Sequence, residues 1–368
     1  MRLLFAFAGG NGHFQPLVPL ARAAAAAGHT VAVTGQPAVM PHVTKAGFTA
    51  LPSGRRSTMS GERVPLSRVD PAREDRDFRD GFAGWIAAER APAVREVAGG
   101  WRPDVIVCDE TDFGSMIAAE TLGIPHASVL VLAAGTFGRP DGLAGKLDEV
   151  RAAHGLGPDP GLAMLERHLV ISPVPPSFRA VPLPPTGRLM RPAEPVSTTG
   201  GGTVYFTLGT IFNTESGDLF GRVVTGLRQV EDVNLVVTVG DSIDPAELGP
   251  QPPHVRVERY VPQAELLPAC DAVVSHAGSG SVLGALAHGL PLVLLPMGAD
   301  QPANAVRCAE LGVGVVLDAV DTTPEQARDA LATVLTDPSY RAAALRLQQE
   351  IASMPDPAAL LPALEALA

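Results

Sequence analysis

Apolar runs of strand length recur along the chain, each running into a small-residue or polar turn and then into a stretch of helical spacing. Residues 3–8 (LLFAFA) are the first such run. Gly9-Gly10-Asn11-Gly12-His13 follows as a tight loop, Pro16–Ala27 as a helix stopped at Gly28, and Thr30–Thr34 as a second strand. A short, wholly apolar run bounded by turn residues predicts a strand buried on both faces, and strands alternating with helices predict a parallel sheet. Phe48–Leu51 is a third short strand. Pro103–Cys108 is the next, ending in Asp109-Glu110, and a helix over 113–122, a stop at Gly123 and a strand over Pro125–Leu132 complete that unit. Residues 133–180 predict one or two helices and a last short strand near His168–Ile171.

Pro182–Gly202 is dense in Pro, Gly, Ser and Thr and reads as a linker. A second series then begins at Thr203–Leu208, passes Leu235–Val239 and Val255–Val257, and ends in helices from Pro324 and Pro338. Two similar halves joined by a linker predict an α/β protein of two facing Rossmann-like domains with an interdomain cleft. Residues 53–80 break the pattern. They predict a long polar loop with arginines at 55, 56, 63, 68, 73, 76 and 79, leading into a helix through Phe82, Trp85 and Ile86. A loop of that length in an α/β domain is usually functional or mobile.

The most informative stretch is 271–304. Ala272–Ser275 ends in His276 and the small-residue turn Ala277-Gly278-Ser279-Gly280-Ser281. A helix over Val282–His288 is closed by Gly289, and Pro291 leads the buried run Leu292–Leu295 into a loop with Asp300 and Gln301. This is a βαβ crossover whose turn offers free backbone N–H groups at a helix start, where an anion is favoured. Ser279 and Ser281 can add hydroxyl donors, and His276 a ring N–H or a positive charge. Asp300 and Gln301 leave the next strand on the same edge, and a carboxylate and an amide suit sugar hydroxyls. A diphosphate site with a polar pair beside it is the economical reading.

The same stretch resembles the nucleotide-sugar signature of glycosyltransferase family 1, especially the bacterial macrolide and polyketide branch. That pattern runs His-(Gly/Ala)-Gly-x-Gly-(Thr/Ser), then Gly-x-Pro, then Asp-Gln with Asn three residues on. Here it stands as His276–Ser281, Gly289-Leu290-Pro291, Asp300-Gln301 and Asn304, with Ala277 and Ser281 as mild departures. The resemblance covers nearly the whole chain and implies the GT-B fold, with a last helix around Ala358–Ala366 crossing back onto the first domain. The expected layout is an acceptor domain over 1–184, a linker over 185–202, a nucleotide-sugar domain over 203–353 and the returning helix in 354–368. It further implies that Val261, in Arg259–Gln263, contacts a pyrimidine and that Thr210, in Leu208-Gly209-Thr210, lies beneath the phosphates. The donor it implies is dTDP-activated, with UDP second.

Composition narrows the alternatives. The 368 residues suggest two domains, and 46% hydrophobic with 18% charged residues fits a well-buried globular chain. A net charge of −11 without a basic block disfavours nucleic acid and anionic membranes as partners. Lys45 and Lys146 are the sole lysines, which disfavours Schiff-base and pyridoxal chemistry. Cys108, Cys270 and Cys308 read as reduced core thiols of a cytoplasmic protein, without zinc spacing. The opening MRLLFAFAGG reads as a first strand and not as a secretory leader, and no stretch approaches the ~18 apolar residues of a membrane span. Gly10–Gln15 lacks the third glycine of a dinucleotide fingerprint, and no acidic residue ends the second strand, so NAD use is disfavoured. Asp75-Arg76-Asp77 formally matches the Asp-x-Asp of metal-dependent glycosyltransferases. It sits in a charged surface segment and not at a strand end, so no metal site is read and no cofactor beyond the donor is expected.

Gly12-His13-x-x-Pro16 puts a histidine at the carboxyl end of the first strand, where it can take a proton from a hydroxyl near neutral pH. Asp109, at the end of another strand of that sheet, can hold the ring and stabilise the imidazolium. The family's catalytic His and Asp match these two positions, with Glu110 and Asp112 close enough to confuse the assignment. Phe14, Phe78, Phe82, Trp85 and Phe137 are candidates to line an acceptor pocket for a hydrophobic aglycone. The expected activity is inverting, metal-independent transfer of a sugar to a natural-product hydroxyl, with C-transfer on the same scaffold left open. A sugar-nucleotide epimerase or hydrolase would need carboxylates around the anomeric carbon and no acceptor pocket. A catalytically silent homologue would lose His13 or His276. The aglycone, the sugar and the oligomeric state stay open, a homodimer being one reading.

Overall fold

The computed structural model describes residues 1–54, 63–135, 142–192 and 200–368. The strands are Arg2–Ala6 (β1), Thr30–Gly35 (β2), Thr49–Pro52 (β3), Val105–Asp109 (β4), His126–Val129 (β5), Leu169–Ser172 (β6), Gly187–Leu189 (β7), Thr203–Thr207 (β8), Asn234–Thr238 (β9), Val255–Glu258 (β10), Cys270–Ser275 (β11), Leu292–Leu294 (β12) and Gly314–Val316 (β13). They build two parallel sheets, ordered β3-β2-β1-β4-β5-β6-β7 and β10-β9-β8-β11-β12-β13.

Why the runs are apolar throughout is visible in β1. Leu3 and Phe5 enter one core cluster, with the helix Val18–Ala26, while Leu4 and Ala6 enter another, with Ala87–Trp101 and Phe113–Leu122. Alternate side chains thus serve opposite faces, and both faces carry helices. The second sheet repeats the division: Val204 and Phe206 face one cluster and Tyr205 the other. In each sheet the first strand has its sequence neighbour on one side and a later strand on the other. The chain therefore leaves β1 and β4, and likewise β8 and β11, toward opposite faces, and a crevice opens beyond their carboxyl ends. This is an α/β architecture of two Rossmann-like domains.

Three expectations need correction. The segment 53–80 is not all loop. Asp70 caps a helix over Pro71–Arg76 by accepting from the Ala72 amide at 3.0 Å, and a π-wound stretch over Asp77–Ile86 continues it. Asp-Pro is a helix-start signal that the surrounding charge obscured. The presumed linker over 185–202 contains β7, which pairs with β6. A three-residue strand at a sheet edge leaves little apolar pattern among prolines. The loop expected at Asp300 and Gln301 gives way at Gln301 to a helix, Gln301–Glu310, followed by β13.

The helix Pro338–Ser353 packs Ala343, Ala344, Leu347 and Ile351 into the second domain. The chain then crosses over. Arg191 donates to Asp356 at 2.8 Å and its amide to the Pro355 carbonyl, also at 2.8 Å. Leu360, Leu361 and Leu364 end up in the first domain's core beside Leu17, Val18 and Ala21. Burying one leucine side chain contributes about 1.5–3 kcal/mol, so the crossing stabilises the first domain substantially.

Candidate functional site

On the first-domain side, the apolar run of β1 continues through buried Phe7 and Ala8 before the chain turns. The Ala8 amide donates to Asp109 Oδ2 at 2.8 Å, tying the end of β1 to the end of β4. Asp109 Oδ1 accepts from the Thr111 amide at 2.7 Å and the Thr111 hydroxyl at 2.6 Å. His13 stands on the turn Asn11–Phe14, its Nδ1 3.4 Å from Asp109 Oδ1 and 3.2 Å from Thr111 Oγ1. Since the Thr111 proton goes to the carboxylate, its remaining lone pair can accept from Nδ1–H. The hydrogen-bond pattern thus assigns the ring proton to Nδ1 and leaves the lone pair on Nε2. A Cβ on Gly9 would lie 2.1 Å from the His13 ring, so only glycine lets the ring lie over that turn.

The electrostatics suit a base. Burial alone would lower the pKa of His13. The charge and hydrogen bond of Asp109, with smaller help from Asp300 and Glu110, outweigh burial and leave it raised. Burial likewise works to raise Asp109, and His13, Thr111 and the Ala8 amide more than offset it, so Asp109 lies below the usual carboxylate range. Its neighbours in sequence have other duties. Asp112 forms a buried ion pair with Arg90 at 2.6 Å and caps the helix Phe113–Leu122 through the Ser115 amide at 3.0 Å. Glu110 accepts from the Val131 and Leu132 amides at 2.6 and 2.7 Å, and burial pushes its carboxyl up to about 7.

Across the cleft, β11 delivers His276 to the turn before the helix Ser279–Ala287. Ala277 takes a left-handed φ of 67°, and the amides of Ser279, Gly280 and Ser281 open the helix with no carbonyl ahead of them. The His276 ring lies against Gly209 and Gly278, where a Cβ would come within 2.6 and 2.5 Å of Nε2. Burial pushes its pKa down to about 4, only partly opposed by the Thr207 carbonyl. Of the two roles expected of His276, a ring N–H or a positive charge, burial favours the neutral N–H form. Its buried Nδ1 has no hydrogen bond of good geometry among the described residues.

Ser279 also differs from expectation. Its hydroxyl donates to Asp300 at 2.5 Å and accepts from the Ala133 amide at 2.7 Å and from Asn304 Nδ2 at 3.2 Å. With its one proton engaged, the Ser279 hydroxyl is not a free anion donor; its backbone amide still is. Ser281 is buried, 3.4 Å from Gln263 Nε2. Asn304, wholly buried, gives Nδ2 to the Ala277 carbonyl at 2.9 Å and to Asp300 at 2.7 Å, and accepts from the Ala134 amide at 2.9 Å. Burial raises the pKa of Asp300, with the Ser279 and Asn304 bonds pulling the other way. Although it occupies the N-cap position of the helix Gln301–Glu310, its side chain does not cap it. Gln301 is buried, its Oε1 accepting from the Met297 and Gly298 amides at 2.8 and 3.3 Å, which leaves its NH₂ group for a ligand. Val261 is half-buried against the second core, and Thr210 and Gly280 are exposed.

The acceptor candidates divide. Phe82 stacks on His13 with ring centres 5.8 Å apart and planes 19° apart. Trp85 is 64% exposed. Phe14 packs in the core with Phe7 and Phe48, and Phe78 with Phe82 and Phe113. Phe14 and Phe78 are too fully covered to line an open pocket, which corrects both assignments. Phe137 lies outside the described residues. Asp75 and Asp77 lie on the helical segment after Asp70, with Arg73 3.5 Å from Asp77, and the described residues hold no cluster of three or more metal-binding side chains. Sequence reasoning missed Thr111. Its one signal was a hydroxyl two residues beyond a strand-end aspartate, a spacing that turns the side chain back onto the carboxylate.

Residues 222–367 match the family model described as erythromycin biosynthesis protein CIII-like, C-terminal domain. Over its full length the chain is 31% identical to 10-deoxymethynolide desosaminyltransferase of Streptomyces venezuelae, of which it covers 97%. Among solved structures it is similar to the glycosyltransferase SnogD of Streptomyces nogalater, with TM-score 0.78, 29% identity and the full length of both chains covered. It is also similar to spinosyn rhamnosyltransferase SpnG complexed with thymidine diphosphate, with TM-score 0.76, 28% identity, and 99% of this chain and 100% of that one covered.

Proposed function

The chain belongs to the family 1 glycosyltransferases of macrolide and polyketide antibiotic biosynthesis, and from that premise we propose a donor, an acceptor and a mechanism. The donor is a dTDP-activated deoxysugar, with a UDP-sugar second, as thymidine diphosphate in the related SpnG structure supports. The acceptor is a hydroxyl of a hydrophobic aglycone lying against Phe82 and Trp85. One observation carries the mechanism: His13 has Nδ1 held by Asp109 and Thr111 while the Asp300 carboxylate of the other domain lies near enough to act on its charge. This supports a single site shared by base and donor loop.

In the proposed step His13 Nε2 takes the acceptor proton as the acceptor oxygen attacks the anomeric carbon. The bond from that carbon to the diphosphate oxygen breaks on the opposite side, with inversion, and dTDP leaves with its electron pair. The imidazolium that forms is stabilised by Asp109, directly and through Thr111. Charge growing on the leaving phosphate meets the Ser279, Gly280 and Ser281 amides and the neutral His276 N–H, with Thr210 and Ser281 Oγ as further donors at its rim. Removing one such donor typically raises the barrier by about 3 kcal/mol. In this reading Val261 contacts the thymine through its backbone, and Asp300 with the Gln301 amide reads the sugar. The step balances without a further cofactor.

Thermal stabilisation by dTDP, UDP, GDP, ADP and NAD(H) tests the donor. A ligand at a hundredfold excess over its dissociation constant adds about 2.7 kcal/mol of stability. The expected result is a shift with dTDP, a smaller one with UDP, and loss of both in His276→Ala. A shift with NAD(H) alone, or none with either pyrimidine nucleotide, would sink the reading.

A further inference from the structure

The loop before Asp300 is held in an unusual way. Three consecutive amides, those of Met297, Gly298 and Ala299, are each accepted by a side chain. The first two go to Gln301 Oε1, at the start of the helix that follows. The third goes to Glu74 Oε2 at 2.8 Å, and Glu74 belongs to the first domain, on the helix Pro71–Arg76. The contact is close-packed: a Cβ on Gly298 would fall 3.1 Å from Glu74 Oε1 and 2.9 Å from the Phe212 ring. Ala299 itself adopts a left-handed φ of 53°, which a residue with a Cβ keeps only when its surroundings impose it. Asp300 comes next, and its side chain reaches Ser279 and Asn304.

The segment that carries Glu74 is itself moored to the second domain. Arg63 pairs with Glu247 at 2.6 Å, the Val64 amide donates to the Thr214 carbonyl at 3.0 Å, and Leu66 packs against the second domain's core. Arg68 pairs with Asp318 at 2.7 Å and with Asp321. Glu74 is thus delivered to Ala299 by a braced element and not by a chance surface contact.

We propose that Glu74 is a positioning residue for the donor sugar: by accepting the Ala299 amide across the cleft it fixes the strained backbone from which Asp300 reads the sugar. This rests on the donor reading given above. On that reading Asp300 meets the sugar and not the nucleotide, so the inference separates the two halves of the donor. Glu74 matters to the sugar and not to the nucleotide.

The test is calorimetric, with dTDP and dTDP-glucose as probes, on the wild type, Glu74→Ala, Glu74→Gln, Asp300→Ala and the Glu74→Ala/Asp300→Ala double variant. Affinity for dTDP should stay within about twofold in both single Glu74 variants. Affinity for dTDP-glucose should fall roughly tenfold in Glu74→Ala and largely return in Glu74→Gln, whose carbonyl can still accept the Ala299 amide. The double variant should bind dTDP-glucose no more weakly than Asp300→Ala, because the two residues act through one another. Unchanged dTDP-glucose affinity in Glu74→Ala, equal losses for both probes, or losses that add in the double variant would each overturn the inference. A wild type that binds neither probe would overturn the donor reading and this inference with it.

Discussion

His13 and Glu110 are two groups beside one another whose pKa lies above the ordinary value, that of Glu110 at about 7, and they can be told apart. Asp109 holds His13 above its ordinary value, so the lone pair on Nε2 is lost as pH falls through that raised pKa. Transfer should therefore rise with pH along an acid limb. In His13→Ala the rate should drop by about 10²–10⁴ and the limb should vanish. Glu110→Gln should keep the limb but move it to lower pH, because the Glu110 charge helps to raise His13. A pH profile of transfer for the three proteins decides it, and a limb that disappears with Glu110 would make that carboxylate the base. At this scale His13, Asp109, His276 and Asp300 were legible from their places after apolar runs together with the resemblance to the family 1 signature. The sequence could not show that the Ser279 proton goes to Asp300, or that Phe14 and Phe78 turn inward, since both depend on what packs across from them.

Elements carry those residues, and the one beneath Asp109 is held by charge. Arg90, on Ala87–Trp101, pairs with Asp112 at the start of Phe113–Leu122 and also donates to Ser53 at 2.7 Å beyond β3. Asp112→Ala leaves a buried guanidinium without its counter-ion and strips a helix cap. It should cost about 3–5 kcal/mol, read as a shift of the urea midpoint. A midpoint within error of the wild type would show that the pair contributes nothing. Most strands were legible because a parallel strand must be apolar on both faces. Helix Pro71–Arg76, β7 and β13 were not: the first hides in charge, and the other two are three-residue strands at sheet edges, with few apolar positions to read.

Over the whole molecule the domains are joined by more than a linker. Ala133 and Ala134 dock onto Ser279 and Asn304, Glu74 onto Ala299, and the chain's last helix into the opposite core. Leu361→Ala and Leu364→Ala should each cost about 2–5 kcal/mol in urea denaturation, like any buried leucine, although both lie in the final eight residues. Near-neutral values would mean that the returning helix is only loosely seated. The two-domain plan followed from the repeated pattern, whereas no periodicity reveals which domain a terminal amphipathic helix will choose.

That crossing also sets an order of events during synthesis. The first sheet is complete once β7 has been made, yet its core lacks three leucines that are translated only after the entire second domain. At about 5–20 residues per second the gap lasts on the order of ten seconds or more. Throughout it Leu17 and Ala21 lack those leucines as packing partners. The first domain's core can close only when residues 360–364 have been made.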